Sequence, residues 1–343
     1  MRAVVLRGGR LEVRETADPV PGARELLVRV LSTAICASDV HYMDHPDQAI
    51  DDPTGMSAYD ADLDIVMGHE FVGEVVAHGP ECSNQFPVGT RVTSMPMLLT
   101  PSGMRIIGQH PDAPGSFGEL MVLSEDLTRV VPDGVPSDAV ALVDAFAVGE
   151  YYVRSSGIAA GELPLVVGAG AIGLSAVAAL AHRSIEPIVV SDYRAERRTL
   201  AREFGAHVLV DPAEQAPFDA WRDAARDREV TSPPVVFECV GAPGLVQQLV
   251  ESCEMWTRIY VAGAWYTADT INCTDAARKG VTLQFGGGPL PDDWYGTLDA
   301  VCDGRLDPLP SVGRVIGLDE VPAALDQARA AQGPPRIVVH PSA

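Results

Sequence analysis

The chain has 343 residues, 47% hydrophobic and 21% charged, an ordinary globular profile with length for about two domains. Its formal net charge of −22 argues against nucleic acid and anionic membranes as partners, because both need a basic face. The six cysteines, at 36, 82, 239, 253, 273 and 302, show no paired spacing, so no disulfide framework is expected. The opening MRAVVLRGGRLEV lacks the apolar core of a secretion signal, which points to the cytoplasm.

Residues 1–35 read as short strands, with Val4–Leu6, Leu11–Arg14 and Leu26–Leu31 separated by Gly and Pro turns. After ICASDVH (Ile35–His41), the acidic segment Tyr42–Met67 reads as a long loop with a helical turn. It is a solvated excursion or a lid carrying Met56 or Tyr59. VMGHEFVGEVVAHG (Val66–Gly79) is a glycine-bent strand, Arg91–Met97 another, Pro101–Gly115 a loop, and Gly115–Leu123 a return to strand. Pro136–Gly157 has helical spacing, with Ser137 as expected N-cap and Gly157 as stop.

Leu163–Ala181, LPLVVGAGAIGLSAVAALA, carries no charge and approaches the roughly 20 apolar residues of a membrane span. Its punctuation rules that out. Gly168, Gly170 and Gly173 form G-x-G-x-x-G after an apolar strand, and Ala171 and Ile172 open a helix. Asp192 follows nineteen residues after Gly173, where a ribose-binding acid belongs. In such a turn the first glycine permits the bend, the second admits a pyrophosphate, and the third lets helix pack on strand. The helix N-terminus faces the phosphates. A dinucleotide site follows. Strand candidates Pro187–Ser191, Val208–Val210, Pro234–Glu238, Arg258–Ala262 and Val281–Phe285 then alternate with helices such as Arg194–Phe204. With the first strand they give six units of a doubly wound parallel sheet. The tail, residues 289–343, offers one helix near Val321–Ala331 and a strand near Arg336–Val339, and is expected to pack back onto the N-terminal domain.

Outside that sheet stand Cys36, the His69–Glu70 pair, Asp144 and the Ser38/His41 pair. Cys, His and carboxylate are the ligands of a catalytic zinc that keeps one position open. Asp144 lies among Val140, Val143, Ala147 and Val148, so its charge needs a partner, which a metal would supply.

The segments GHEFVGEVV, ICASDVH, GSFGEL and GAGAIG followed by SD together resemble the zinc-dependent medium-chain alcohol dehydrogenases, in the same order over nearly the whole chain. The resemblance implies an α/β protein: a mostly β GroES-like catalytic domain (1–153), a Rossmann NAD-binding domain (154–288), and a C-terminal return (289–343). It implies Cys36, His69 and Asp144 as zinc ligands, with DAFAV standing where the family has EPLAV. Glu70 would be a transient ligand or a neighbour of one. Asp39 would orient His69, and Ser38 and His41 would form the proton relay. Asp192 would bind the adenosine ribose and favour NAD over NADP, with Arg194 as a counter-indication. Tyr193 and Arg197 would line the adenine end. Val240, Ala262, Ala264 and Phe285, at strand ends, would meet the cofactor, and Arg336 would touch its pyrophosphate.

The expected activity is hydride transfer between a secondary, aromatic or polyol alcohol and NAD, in a homodimer or homotetramer. The alternatives are a zinc-free quinone or enone reductase of the same superfamily and a non-catalytic nucleotide-binding protein. Two departures stand out. No cysteine lies between Cys82 and Cys239, so the four-cysteine structural-zinc lobe of many members is absent, and Ala37 replaces a basic residue found near the phosphates in some. Phe146, Tyr151, Met95, Trp265 and Tyr266 are candidate pocket residues.

Overall fold

The computed structural model describes residues 1–264, 268–330 and 333–342; the pocket candidates Trp265 and Tyr266 lie outside them. The chain divides into two compact units, Met1–Asp144 with Val301–Ala343, and Ala145–Ala300.

The first unit is mostly β. Its larger sheet centres on Glu25–Ala34, which pairs antiparallel with Glu70–His78, Leu120–Ser124 and Arg336–Val339. A smaller sheet joins Arg10–Glu15, Arg2–Arg7 and Ile65–Val66. Each inward face supplies core: Leu26, Val28 and Val30 pack with Phe71, Val75 and Met121, and Val4 and Leu6 with Met67, Phe117 and Ile337.

The second unit is a six-stranded parallel sheet with Pro164–Val167 and Val235–Glu238 at its centre. Its strands lie in the order Val208–Val210, Val189–Ser191, Pro164–Val167, Val235–Glu238, Arg258–Val261, Thr282–Phe285, the doubly wound order expected. Leu163–Ala181 resolves into the strand Pro164–Val167, a turn, and the helix Ala171–His182. Among the described residues no helix is long and apolar enough to cross a membrane. The uncharged run is instead a buried strand and a buried helix, with Leu165, Val166, Leu174, Val177 and Leu180 at 0% exposure.

Several local expectations need correction. In the acidic segment the expected helical turn is Pro46–Ile50, while an unexpected helix, Ala37–Asp44, starts within ICASDVH before it. Pro101–Gly115 is not simply loop, because Met97–Thr100 and Gly103–Ile106 make a hairpin. Leu98 and Ile107 bury there in the core of the larger sheet. The helix cap falls on Pro136, not Ser137, whose hydroxyl accepts from Arg91 instead. The tail contains an unexpected strand, Val312–Ile316, parallel to Arg336–Val339, and an unexpected helix, Pro291–Cys302. The junctions at Asp144 and Ala300 depart from those expected at 153 and 288. The reason is packing. Helix Val143–Ser156 sets Gly149 against the backbone of Ser175 and pairs Glu150 with Arg183, and its Arg154 holds Asp293 of Pro291–Cys302.

Candidate metal centre and dinucleotide turn

Three neighbouring strands build the first site. Glu25–Ala34 ends just before Cys36, and its Ala34 stands opposite Glu70 at the start of Glu70–His78. Ile35 N–H donates to the carbonyl of Ile337 at 3.0 Å, which brings Arg336 alongside. Before Glu70 the chain turns at Gly68, φ +92°, a left-handed conformation that favours glycine. A Cβ there would lie 2.7 Å from the Phe117 ring and 2.8 Å from Ser116 Oγ. The turn is fixed from below: Thr33 Oγ1 donates to the Glu70 carbonyl at 2.7 Å and lies 2.6 Å from Ser116 Oγ.

The outcome is a cluster in which ligand atoms of Cys36, His69 and Glu70 all lie within 4.8 Å of one another, the one such group of three or more among the described residues. Asp39 stands behind it, fully buried. Its Oδ2 accepts the Cys36 N–H at 3.0 Å, capping helix Ala37–Asp44 at the third position. Its Oδ1 lies 3.1 Å from His69 Nδ1. With Nδ1 turned to a carboxylate, Nε2 is the nitrogen left to face a ligand, and Ser38 Oγ is 3.1 Å from it. On the other side Arg336, 2% exposed, forms an ion pair with Glu70. Arg336, expected at a pyrophosphate, is thus sunk in the sheet with Glu70 as its countercharge.

The electrostatics of the cluster are those of a cation site. Burial alone would raise the Cys36 thiol, but the hydrogen bond and charge of His69, with Arg336 beyond, hold it below the ordinary thiol value. Burial would lower His69, but the charge and hydrogen bond of Asp39, joined by those of Cys36, hold the imidazole well above its usual value. Burial pulls the Arg336 guanidinium below its usual range, opposed by Cys36. A thiolate, an imidazole oriented by a carboxylate, and a second carboxylate are the donor chemistry that zinc takes, and a dication would stand in for the imidazolium proton. Asp144 opens helix Val143–Ser156, half-buried, and its carboxylate is not in the gathered group. His41 is half-buried on helix Ala37–Asp44. Burial and the neighbouring His45 lower its pKa against a smaller opposing effect of Asp44.

The second site is the glycine turn. Gly168 has φ +91°, and a Cβ on it would lie 2.6 Å from Val240 Cγ2. At Gly173 a Cβ would overlap the Gly168 carbonyl oxygen, so helix and strand meet backbone to backbone. Asp192 follows the strand Val189–Ser191 and accepts N–H groups of Ala169 and Arg194, each at 2.8 Å. Arg197 lies 4.0 Å from it, its guanidinium lowered mainly by burial. Ala171 and Ile172 start the helix, and Tyr193, Val240 and Phe285 are exposed at or just beyond strand ends, with Ala262 and Ala264 following Arg258–Val261.

One residue of this region was not anticipated. Glu238, fully buried at the end of Val235–Glu238, accepts the N–H groups of Val240 at 2.7 Å and Gly241 at 2.9 Å. Its backbone carbonyl accepts from Ala262 and Gly263. It ties two strand-end loops together. The signal was a carboxylate closing a buried apolar run, VVFE, where a solvated residue would be ordinary.

Comparison with known proteins falls on the same two units. Residues 22–133 match the alcohol dehydrogenase GroES-like domain, and residues 171–302 match the zinc-binding dehydrogenase domain. The L-threonine 3-dehydrogenase of Saccharopolyspora erythraea is 28% identical over 334 residues, covering 93% of each chain. That of Pectobacterium carotovorum is 26% identical over 330 residues, covering 93% of this chain and 92% of its own. The crystal structure of 2R,3R-butanediol dehydrogenase from Bacillus subtilis superposes with a TM-score of 0.84 at 27% identity, over 99% of both chains. The first match lies on the unit that carries the metal cluster and the second on the unit that carries the glycine turn, and together they span most of the chain: the chain belongs to the zinc-binding medium-chain dehydrogenases, NAD(P)-dependent enzymes that oxidise alcohols to carbonyl compounds.

Proposed function

We propose that the enzyme oxidises a small secondary alcohol with NAD⁺, using one zinc ion held by Cys36, His69 and Asp144, with Glu70 as an exchangeable fourth donor. The observation that carries this is the Cys36–His69–Glu70 cluster with Asp39 behind its imidazole. A zinc ion held there would supply the positive charge that polarises an alcohol oxygen and lowers the pKa of its proton. Ser38 and His41 are the groups that pass that proton outward, and Asp39 keeps the His69 tautomer fixed. Arg336 holds the Glu70 carboxylate in place. For Asp144 the support is its position in DAFAV, at the start of helix Val143–Ser156.

Asp192 supports NAD over NADP. Each carboxylate oxygen already accepts one backbone N–H, yet an ionised carboxylate keeps further lone pairs for ribose hydroxyls and would repel a 2′-phosphate. Threonine and 2,3-butanediol, named in the relatives, both carry a secondary hydroxyl beside a second polar-substituted carbon, which favours vicinally substituted alcohols here. Association into homodimers is supported by Thr282–Phe285, an edge strand with Phe285 exposed; homotetramers are the alternative. We place the enzyme in the cytoplasm.

The test is metal analysis of the purified protein with an NADH-absorbance screen over primary, secondary, aromatic and polyol alcohols, threonine and 2,3-butanediol included. One zinc per chain and a preference for vicinally substituted secondary alcohols are expected. Activity on quinones or enones without bound metal would replace this reading with that of a zinc-free reductase. A clear preference for NADP⁺ in catalytic efficiency would overturn the role given to Asp192.

A further inference from the structure

We propose that His41 and His45 form a second metal site, one that takes a borderline divalent ion such as Zn²⁺, Ni²⁺ or Cu²⁺. The two residues are four apart at the end of helix Ala37–Asp44, His45 being its C-cap with its N–H on the carbonyl of His41. That spacing puts them on one face. Their ring centroids are 6.4 Å apart and their planes 25° from parallel. Two imidazoles on one zinc, each with its nitrogen at about 2.0–2.1 Å, bring the rings somewhat closer than this, a movement of roughly 1 Å that side-chain torsions provide. Both side chains are half-buried, so an ion reaches them from solvent while the helix limits their motion.

The charges around the pair are consistent with a site for neutral imidazole. Burial and the charge of His45 both disfavour the protonated form of His41, and it is the neutral ring that coordinates a metal. The carboxylate of Asp44, next to His45, opposes that lowering to a smaller extent and accepts from Arg329. This pair is separate from the Cys36–His69–Glu70 cluster: its donors are two imidazoles without thiolate. Cu²⁺ should therefore bind tighter than Ni²⁺ or Zn²⁺, by the general order of divalent affinities.

The consequence rests on the relay reading of His41. An ion held by both rings occupies a nitrogen that the relay needs, so micromolar free metal should inhibit an enzyme whose catalytic site is already filled.

The experiment uses the zinc-loaded enzyme, titrated with CuCl₂ and NiCl₂ in a weakly coordinating buffer. Equilibrium dialysis gives the stoichiometry, and electron paramagnetic resonance of the copper form shows whether two imidazole nitrogens are bound. The wild type is expected to take one further equivalent with two-nitrogen coupling. His45→Gln and His45→Asn should each weaken that equivalent at least tenfold while keeping the basal activity. Retention of the equivalent at full affinity in both variants, or a copper spectrum without imidazole nitrogen, overturns the site. Binding accompanied by inhibition that His45→Gln abolishes upholds both the site and the relay. Binding with undiminished activity upholds the site and refutes the relay role of His41.

Discussion

Substituting Asn for Asp39 probes the metal centre without touching a ligand. The carboxylate, 0% exposed, uses both oxygens: Oδ2 accepts the Cys36 N–H at 3.0 Å, and Oδ1 faces His69 Nδ1 at 3.1 Å. An amide has one acceptor oxygen, so in Asp39→Asn either the helix cap or the imidazole loses its partner. Leaving such a buried group unsatisfied costs about 1–3 kcal/mol. Loss of the group that orients a metal-binding His typically costs ~10–100-fold in metal affinity. At about 1.4 kcal/mol per decade that is roughly 1.4–2.8 kcal/mol, so the two routes agree. The assay is zinc transfer to a chromophoric chelator, with thermal denaturation of the chelated protein to measure folding separately. Zinc should bind 10–100-fold more weakly to a variant that still folds. A folded Asp39→Asn protein with zinc affinity within twofold of wild type would refute the argument.

Cys36→Ser should lose zinc and turnover while binding NAD⁺ normally by calorimetry; normal activity after complete chelation would sink the zinc requirement. In Gly173→Ala the new methyl group overlaps the Gly168 carbonyl, a strain of about 1–3 kcal/mol, so NAD⁺ should bind about 10–100-fold more weakly; an unchanged Kd means the turn is not the cofactor's seat. Because burial and His45 hold His41 below the ordinary value of about 6.5, the wild-type relay stays neutral to lower pH and its acid limb lies below that value. His41→Gln should lower kcat and remove that limb, and an unaltered pH–rate profile argues against the relay. Arg336→Met strands the buried Glu70 carboxylate and should cost about 3–5 kcal/mol in denaturant unfolding, largely recovered in Arg336→Met/Glu70→Gln; equal stability of the two variants would show the pair is not coupled.

The nucleotide-binding unit was legible because its sheet is parallel and buried on both faces, so each strand is a short apolar run between turn signals. Val208–Val210 was read at its observed ends for that reason. Helix Ala37–Asp44 was not. ASDVHYMD has weak apolar periodicity, and the helix is held by its Asp39 cap and by Arg329 gripping Asp44 from helix Val321–Arg329. The strand Val312–Ile316 was missed on similar grounds: VGRVI is ambiguous alone and becomes a strand by pairing with Arg336–Val339. Hairpin Met97–Ile106 hid behind Pro101 and Gly103, which mark a turn but not the strands flanking it.

For the site, sequence supplies donor types and structure supplies register. Cys36, His69 and Glu70 are recognisable as ligand chemistry, yet nothing in their spacing says that Glu70 stands opposite Ala34 or that Arg336 comes beside both. The pairing of Glu25–Ala34 with Glu70–His78 shifts register twice, between Leu27 and Val28 and between Val30 and Ser32. A one-residue shift exchanges the faces of every residue beyond it. The shift after Val30 therefore sets which face Thr33 presents, and Thr33 is the residue whose hydroxyl holds the Glu70 carbonyl and meets Ser116. Bulges gather near functional sites because they re-aim side chains without ending a strand. Here the irregularity lies four to six residues from Cys36 along a strand otherwise committed to core. It reconciles the alternation that buries Leu26, Val28 and Val30 with the different alignment that the ligands require.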